Sequence, residues 1–403
     1  MPMLRDLFLG PWRAVLVLGV TQILAWGALF YPPVMTVPLI AAEHGWSASF
    51  AMGGFSLALL VVGLVVPQVG RLIDRHGGHR VMPAGSLLAA LGLVGLSFAD
   101  HAAAYLAVWM LIGVATAASL YDAAFASLGR IFGSAARAPI TAITLAGGLA
   151  STVSWPVTYV LIEHVGWRGT YLVYAGLLAL VAAPLHAFAL PRRRADAQPP
   201  PPPDGAVRPP SVVLPSKGWP FVIVASAFAA YGFVLPGLSA HLLAIFGRAG
   251  IDAATVVAVG ALFGPAQVVA RICEFIFARG VHPLYVARFA VGMLLAALAL
   301  IALFGFSAPV AAAFMVMFGM GNGLITIARG TVPLALFGAA GYGFLIGRIA
   351  RPVLLMQASA PLVLAFVAER ASDAGVLMVV AGLALVAFGC FAAVRRPPTG
   401  ERQ

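Results

Sequence analysis

Three polar side chains in one apolar stretch are placed to act together. Gln267, Arg271 and Glu274 stand at i, i+4 and i+7, on one face of a helix that Gly260 and Gly264 extend. A guanidinium can hold a carboxylate through two parallel hydrogen bonds, and a carboxyl group nearby can pair with it or carry a proton. Charged groups inside a bilayer cost roughly 2.5–3.5 kcal/mol each on insertion scales, so each needs a reason. Two readings are open. In one, Arg271 lines a cavity and binds an anion, with Gln267 beside it and Glu274 as partner or proton carrier. In the other, Arg271 pairs with Glu274 within the helix and snorkels to water.

Other candidates are scattered along the chain. Asp122, in Ser119-Leu-Tyr-Asp122, and Arg329 are charges within apolar stretches. As a pair they would bridge two elements as a gate; Asp122 alone would be a proton site; separately, each would satisfy a loop or backbone group. Thr141, Thr144, Gly148, Ser151, Trp155 and Thr158 recur at spacings of three and four. Such a face usually means close helix packing, and Trp155 is its best candidate for lining a polar cavity. Trp26 and Tyr231 sit near mid-span and are pocket candidates, whereas Tyr31 and His241 read as interfacial anchors. Gly319, Gly321, Asn322 and Gly323 read as a flexible polar break whose Asn322 could bond a helix or a substrate.

Composition says what holds these residues. Of 403 residues 62% are hydrophobic and 9% charged, with a mean hydropathy of +1.00, which excludes a soluble globular domain. Twelve apolar runs follow: 14–38, 48–70, 81–99, 104–128, 139–162, 170–190, 219–246, 254–278, 285–305, 308–329, 343–367 and 374–394. Most suffice to cross a ~30 Å hydrocarbon core as helix. The net charge of +11 does not point to nucleic acid, because of where it lies. Only Arg168, Arg248 and Arg370 fall in loops assigned outside, each near an acidic residue. The other basic residues crowd the opposite side, which the positive-inside rule makes cytoplasmic, with both termini. Run 1 reads as a retained span, since no small-residue cleavage site follows a short apolar core. Cys273 and Cys390 lie in apolar runs, so no disulfide framework or metal site is expected.

One segment interrupts the series. Pro191 to Lys217 carries a five-proline run, Pro199 to Pro203, and reads as a solvated linker. The expected division is 1–190 as an N-terminal six-helix bundle, 191–218 as a cytoplasmic linker and 219–403 as a second bundle. The halves echo each other at an offset of 205: Ala25-Trp26-Gly27 with Pro32 recurs as Ala230-Tyr231-Gly232 with Pro236. The same offset carries the Asp74-Arg75 turn to Arg279-Gly280, and carries Asp122 close to Arg329. Parallel halves joined this way are a known transporter plan, with the site between them near the midplane.

The turn after run 2, Gly70-Arg-Leu-Ile-Asp74-Arg75-His-Gly77-Gly-His-Arg80, resembles G-x-x-x-D-R-x-G-x-R of the major facilitator superfamily. Gly70, Asp74, Arg75 and Gly77 match, and Arg80 stands in for the later basic residue. The resemblance covers nearly the whole chain. It implies an all-α fold of twelve transmembrane helices in two pseudo-symmetric bundles, with Asp74 docked at the start of helix 11 near Gly341-Tyr-Gly343 to hold the cytoplasmic side closed. The helix 4 arginine of drug transporters is absent, its place falling at Trp109, and the antiporter signature is not met by Gly147-Gly148 through Trp155-Pro156. The chain is most similar to monocarboxylate-porter-like and oxalate–formate-antiporter-like bacterial members, whose helix 8 arginine binds carboxylate. Where the monocarboxylate porters carry a proton-coupling aspartate, four residues before that arginine, this chain has Gln267; Glu274 or Asp122 would have to take over.

The expectation is a secondary transporter of a small organic anion in a bacterial inner membrane, working as a monomer by alternating access with protons as candidate coupling ions. The alternative is an exporter of a neutral or amphipathic compound, a drug or a metalloid, in which the arginines are structural. No His-Glu-x-x-His, serine elbow or Walker loop marks an enzyme, and no cofactor is implied.

Overall fold

The computed structural model describes residues 10–192, 218–278 and 280–394. Both chain ends, most of the proline-rich segment and Arg279 lie outside them. Apolar side chains cover helices whose backbone groups bond internally, the one way a single segment can cross hydrocarbon. Nine apolar helical stretches among the described residues are long enough to cross a bilayer. One of them, Ala102–Ala189, runs through three crossings.

In chain order the helices are α1 (Arg13–Leu29 and Pro33–His44), α2 (Ala48–His76), α3 (Gly78–Ser97) and α4 (Ala102–Ala117 and Tyr121–Phe132). Next, α5 begins as Arg137–Gly148. The stretch Ala150–Leu177 holds the rest of α5 and the start of α6, parted at Gly166 (φ 69°, ψ 176°), and α6 runs on through Leu178–Ala182 and Leu185–Ala189. The second bundle holds α7 (Trp219–Arg248), α8 (Ala253–Ala261 and Phe263–Phe277), α9 (Pro283–Phe304), α10 (Ala308–Phe337), α11 (Tyr342–Arg370) and α12 (Asp373–Ala393).

Four helices are interrupted in mid-course. α1 breaks at Phe30–Pro32, where two prolines remove amide donors. α4 breaks at Ala118–Leu120, α5 at Leu149, and α8 at Leu262, just before Gly264-Pro265. Broken helices leave unmatched backbone groups, tolerated in a membrane where they face protein or a cavity. α10, by contrast, is continuous, which corrects the reading of Gly319–Gly323 as a flexible break. Its glycines admit α8: a Cβ at Gly319 would stand 2.6 Å from the Phe263 carbonyl oxygen, and one at Gly323 the same distance from that of Gln267.

The two faces of the molecule are joined differently. On the face away from the linker, Arg168 pairs with Glu43 and with Asp100 (2.8 Å), all in the first bundle. Arg248 pairs with Asp373 (2.6 Å) within the second. On the linker face, named hydrogen bonds cross from one bundle to the other.

Candidate functional site

α2 and α11 meet at the first of these crossings. α2 ends at His76, and Gly77, at φ 85°, turns the chain directly into α3. Asp74 in the last turn of α2 aims its carboxylate at the first turn of α11: Oδ1 accepts from the Gly343 amide at 2.9 Å and Oδ2 from that of Phe344 at 2.8 Å. Unbonded amides and positive partial charge at a helix N-terminus make it a natural seat for a carboxylate. Gly70 permits the approach, since a Cβ there would overlap the Gly343 carbonyl. Arg71 lies over the Phe344 ring at 4.3 Å. Arg130 of α4 donates to the Asp74 backbone carbonyl. Arg75 and Arg80 are exposed.

α5 and α8 meet at the pseudo-equivalent place, with the chemistry inverted. Arg137, in the first turn of α5, donates to Glu274 Oε1 at 2.9 Å, to the Ala278 carbonyl at 2.7 Å and to the Val281 carbonyl. Thr141 donates to Glu274 Oε2 at 3.2 Å. One junction seats an acid on helix amides; the other seats an arginine on the carbonyls beyond a helix C-terminus, where partial charge is negative. Between them, Arg329 of α10 donates to both oxygens of Asp122 in α4, each at 2.8 Å.

Arg271 lies three residues before Glu274 on α8. It is 5% exposed and donates to the Thr144 carbonyl (2.9 Å), Gln267 Oε1 (3.2 Å) and, weakly, the Gly323 carbonyl (3.4 Å). Asn322 Nδ2 donates to the same Gln267 oxygen at 2.9 Å. The intrahelical Arg271–Glu274 pair is therefore not formed. Three residues along a helix turn the side chain by about 300° and one turn downward, which carries Glu274 to Arg137. Among the described residues no carboxylate lies within ion-pair distance of Arg271. Its charge rests on neutral dipoles.

The α5 stripe divides. Thr141, Thr144 and Gly148 face α8, with Gly148 against the Arg271 guanidinium. Thr158 bonds Tyr174 at 2.6 Å within the first bundle. Trp155 is 48% exposed, and the side chain of Ser151 lies outside the described residues. Tyr231 sits in the core of the second bundle, near Gly321, with a buried hydroxyl that has no partner among the described residues. Trp26 instead lies 5.1 Å, centroid to centroid, from Tyr121 at the break in α4. The Tyr121 hydroxyl rests on Gly147, next to the glycine that Arg271 touches.

Sequence reasoning missed Arg130 and Arg137, which read only as basic residues at helix ends. It also missed His186, fully buried, whose ring nitrogens bond Thr21 (2.9 Å) and Ser86 (3.1 Å) and so tie α6 to α1 and α3. A lone histidine in an apolar run carried no spacing signal.

The model of the Major Facilitator Superfamily matches residues 15–351. The chain belongs to the major facilitator superfamily. Within this superfamily it is 29% identical over 239 residues to human monocarboxylate transporter 11, a match covering 57% of this chain and 48% of that protein. It is also 29% identical over 177 residues to rat monocarboxylate transporter 3 (42% and 35%). Identity is again 29% over 151 residues to the probable anion transporter 2, chloroplastic, of Oryza sativa subsp. japonica (36% and 28%). These matches span less than half the length of each relative. Solved superfamily structures superpose over almost the whole chain. The human organic anion transporter MFSD10 (TETRAN) does so with a TM-score of 0.72 at 18% identity, covering 94% of this chain and 99% of that one. A bacterial homologue of the iron transporter ferroportin in its outward-facing state, with soaked iron, gives 0.73 at 14%, covering 95% and 98%.

Proposed function

We propose that the chain is a secondary transporter of a small, monocarboxylate-like organic anion, working by alternating access. The observation that carries this reading is the Arg271 charge, buried between the bundles and held only by neutral acceptors. A buried cation without a counter-ion is costly, and an anionic substrate supplies one. Monocarboxylate and anion transporters among the relatives support the same substrate class. Gln267, itself held by Asn322, holds the guanidinium from one side, and Thr144 on α5 holds it from the other bundle. An anion bound there bears on both bundles at once.

The linker face, crowded with arginine, is placed in the cytoplasm of a bacterial inner membrane, with both termini. In that frame the Asp74, Arg137–Glu274 and Asp122–Arg329 contacts close the cytoplasmic side, and they part in the alternate state. The units are residues 1–190, the linker 191–218 and residues 219–403. Site and latches come from one chain, so a monomer suffices. Proton coupling assigns the proton to Asp122 or Glu274, whose arginine partners move away when the latches open.

Arg271→Lys tests the reading, because lysine keeps the charge but loses the paired donors. Charge-assisted bonds are worth roughly 1.5–3 kcal/mol, so a carboxylate should bind about tenfold to a hundredfold more weakly while the protein still folds. Unchanged affinity for an anionic ligand refutes the site. A neutral ligand that binds independently of Arg271 favours the exporter.

A further inference from the structure

Three buried polar atoms on α1 have no partner among the described residues, and two of them, on Gln22 and Trp26, stand one helical turn apart. Gln22 is completely buried, and its Nε2 donates to the Ser119 carbonyl at 2.8 Å in the break of α4. That bond fixes the amide, leaving Oε1 as the free end, and Oε1 has no donor. Four residues on, the buried Trp26 Nε1 has no acceptor. Buried polar groups are almost always hydrogen-bonded, so two orphans on one helix face call for a missing partner.

The chemistry of that partner is narrow. Oε1 needs a donor and the indole N–H needs an acceptor, and the two are not bonded to each other. A carboxylate only accepts and an ammonium only donates, whereas a hydroxyl does both. The walls around the pair are flat. The Trp26 ring lies 4.9 Å from Phe30, 5.1 Å from Tyr121 and 6.3 Å from Tyr31, centroid to centroid, and Trp26, Tyr31 and Tyr121 are only half-buried. Tyr121 leads from this pair toward the guanidinium: its hydroxyl rests on Gly147, while Arg271 rests on Gly148. Offset and edge-on packing against such rings favours an aromatic body.

We propose that Gln22, Trp26 and Tyr121 form a subsite for the body of the substrate, and that the site takes a hydroxylated aryl carboxylate. Its carboxylate sits on Arg271, its ring lies against Trp26 and Tyr121, and its hydroxyl bridges Gln22 Oε1 and Trp26 Nε1. This inference rests on the organic-anion reading and narrows it.

The test uses rigid probes and the full chain in nanodiscs. Binding of benzoate, of 2-, 3- and 4-hydroxybenzoate and of propionate is measured by calorimetry on wild type, Gln22→Met, Trp26→Phe and Arg271→Lys. At least one hydroxybenzoate should bind about tenfold more tightly than benzoate. Its advantage, read as the ratio of the two affinities, should fall to near one in Gln22→Met and in Trp26→Phe. The second variant keeps a ring and guards against misfolding of the first. Arg271→Lys should weaken all the aryl acids together and leave the ratio in place. Three hydroxybenzoates within twofold of benzoate would overturn the subsite and leave its orphans to water. So would an advantage that survives both α1 variants. Arg271-dependent binding of propionate with no aryl acid bound would overturn the subsite and spare the anion reading. No carboxylate binding at all would overturn both.

Discussion

Gly70→Ala puts the seating of α2 on α11 to a quantitative trial. The added Cβ falls inside the van der Waals shell of the Gly343 carbonyl, which is backbone and cannot rotate away. Relieving such an overlap requires a separation on the order of 1 Å. The Asp74 bonds to the Gly343 and Phe344 amides, at 2.9 and 2.8 Å, would stretch beyond hydrogen-bond length. Charge-assisted bonds of this kind contribute roughly 1.5–3 kcal/mol. Loss of even about 2 kcal/mol shifts the equilibrium between the two states about thirtyfold away from the one closed on the linker face. Spin labels at the exposed Ser134 and Val281, with Cys273 and Cys390 replaced, would read the distance between the bundles on that face. The expected result is a longer, broader distribution. Gly53→Ala, on the same helix but with open space around its Cβ, is the control and should leave the distribution alone. An unchanged distribution in Gly70→Ala would show that this contact does not hold the closed state.

The other latches make related predictions. Arg137→Gln removes the charge facing Glu274 and the carbonyls of Ala278 and Val281, so the same labels should move apart, and Glu274→Gln should move them in the same direction; opposite responses would break the pairing. Asp122→Asn or Arg329→Gln alone strands a partly buried charge and should lower stability by about 3–5 kcal/mol, measured by thermal unfolding. The exchanged pair, Asp122→Arg with Arg329→Asp, should recover part of that loss, and no recovery would mean that the two do not act together. A cysteine introduced beside Asp204 should resist an impermeant maleimide added to intact cells, since the arginine bias sets the orientation; ready labelling there would reverse the assignment.

The membrane class, the half repeat and the contact of Asp74 with the start of α11 were legible in the residues because they depend on local composition and fixed spacing. Apolar runs have a length that a bilayer dictates, and a glycine-bracketed turn keeps its register wherever it folds. A twelve-helix fold can be read one helix at a time. Partnership cannot. The sequence put Arg271 beside Glu274 on one helix, yet α5 supplies a carbonyl to one and an arginine to the other, so the intrahelical pair never forms. Arg137 carried no signal except charge until α5 was laid on α8. Trp26 and Tyr231 are equivalent in the repeat, but the break in α4 opens beside the first, while α10 encloses the second in its own bundle. Spacing along one helix says which side chains share a face. Only the packing of helices far apart in the chain decides what that face meets, because a buried charge takes its partner from whichever neighbouring helix offers one.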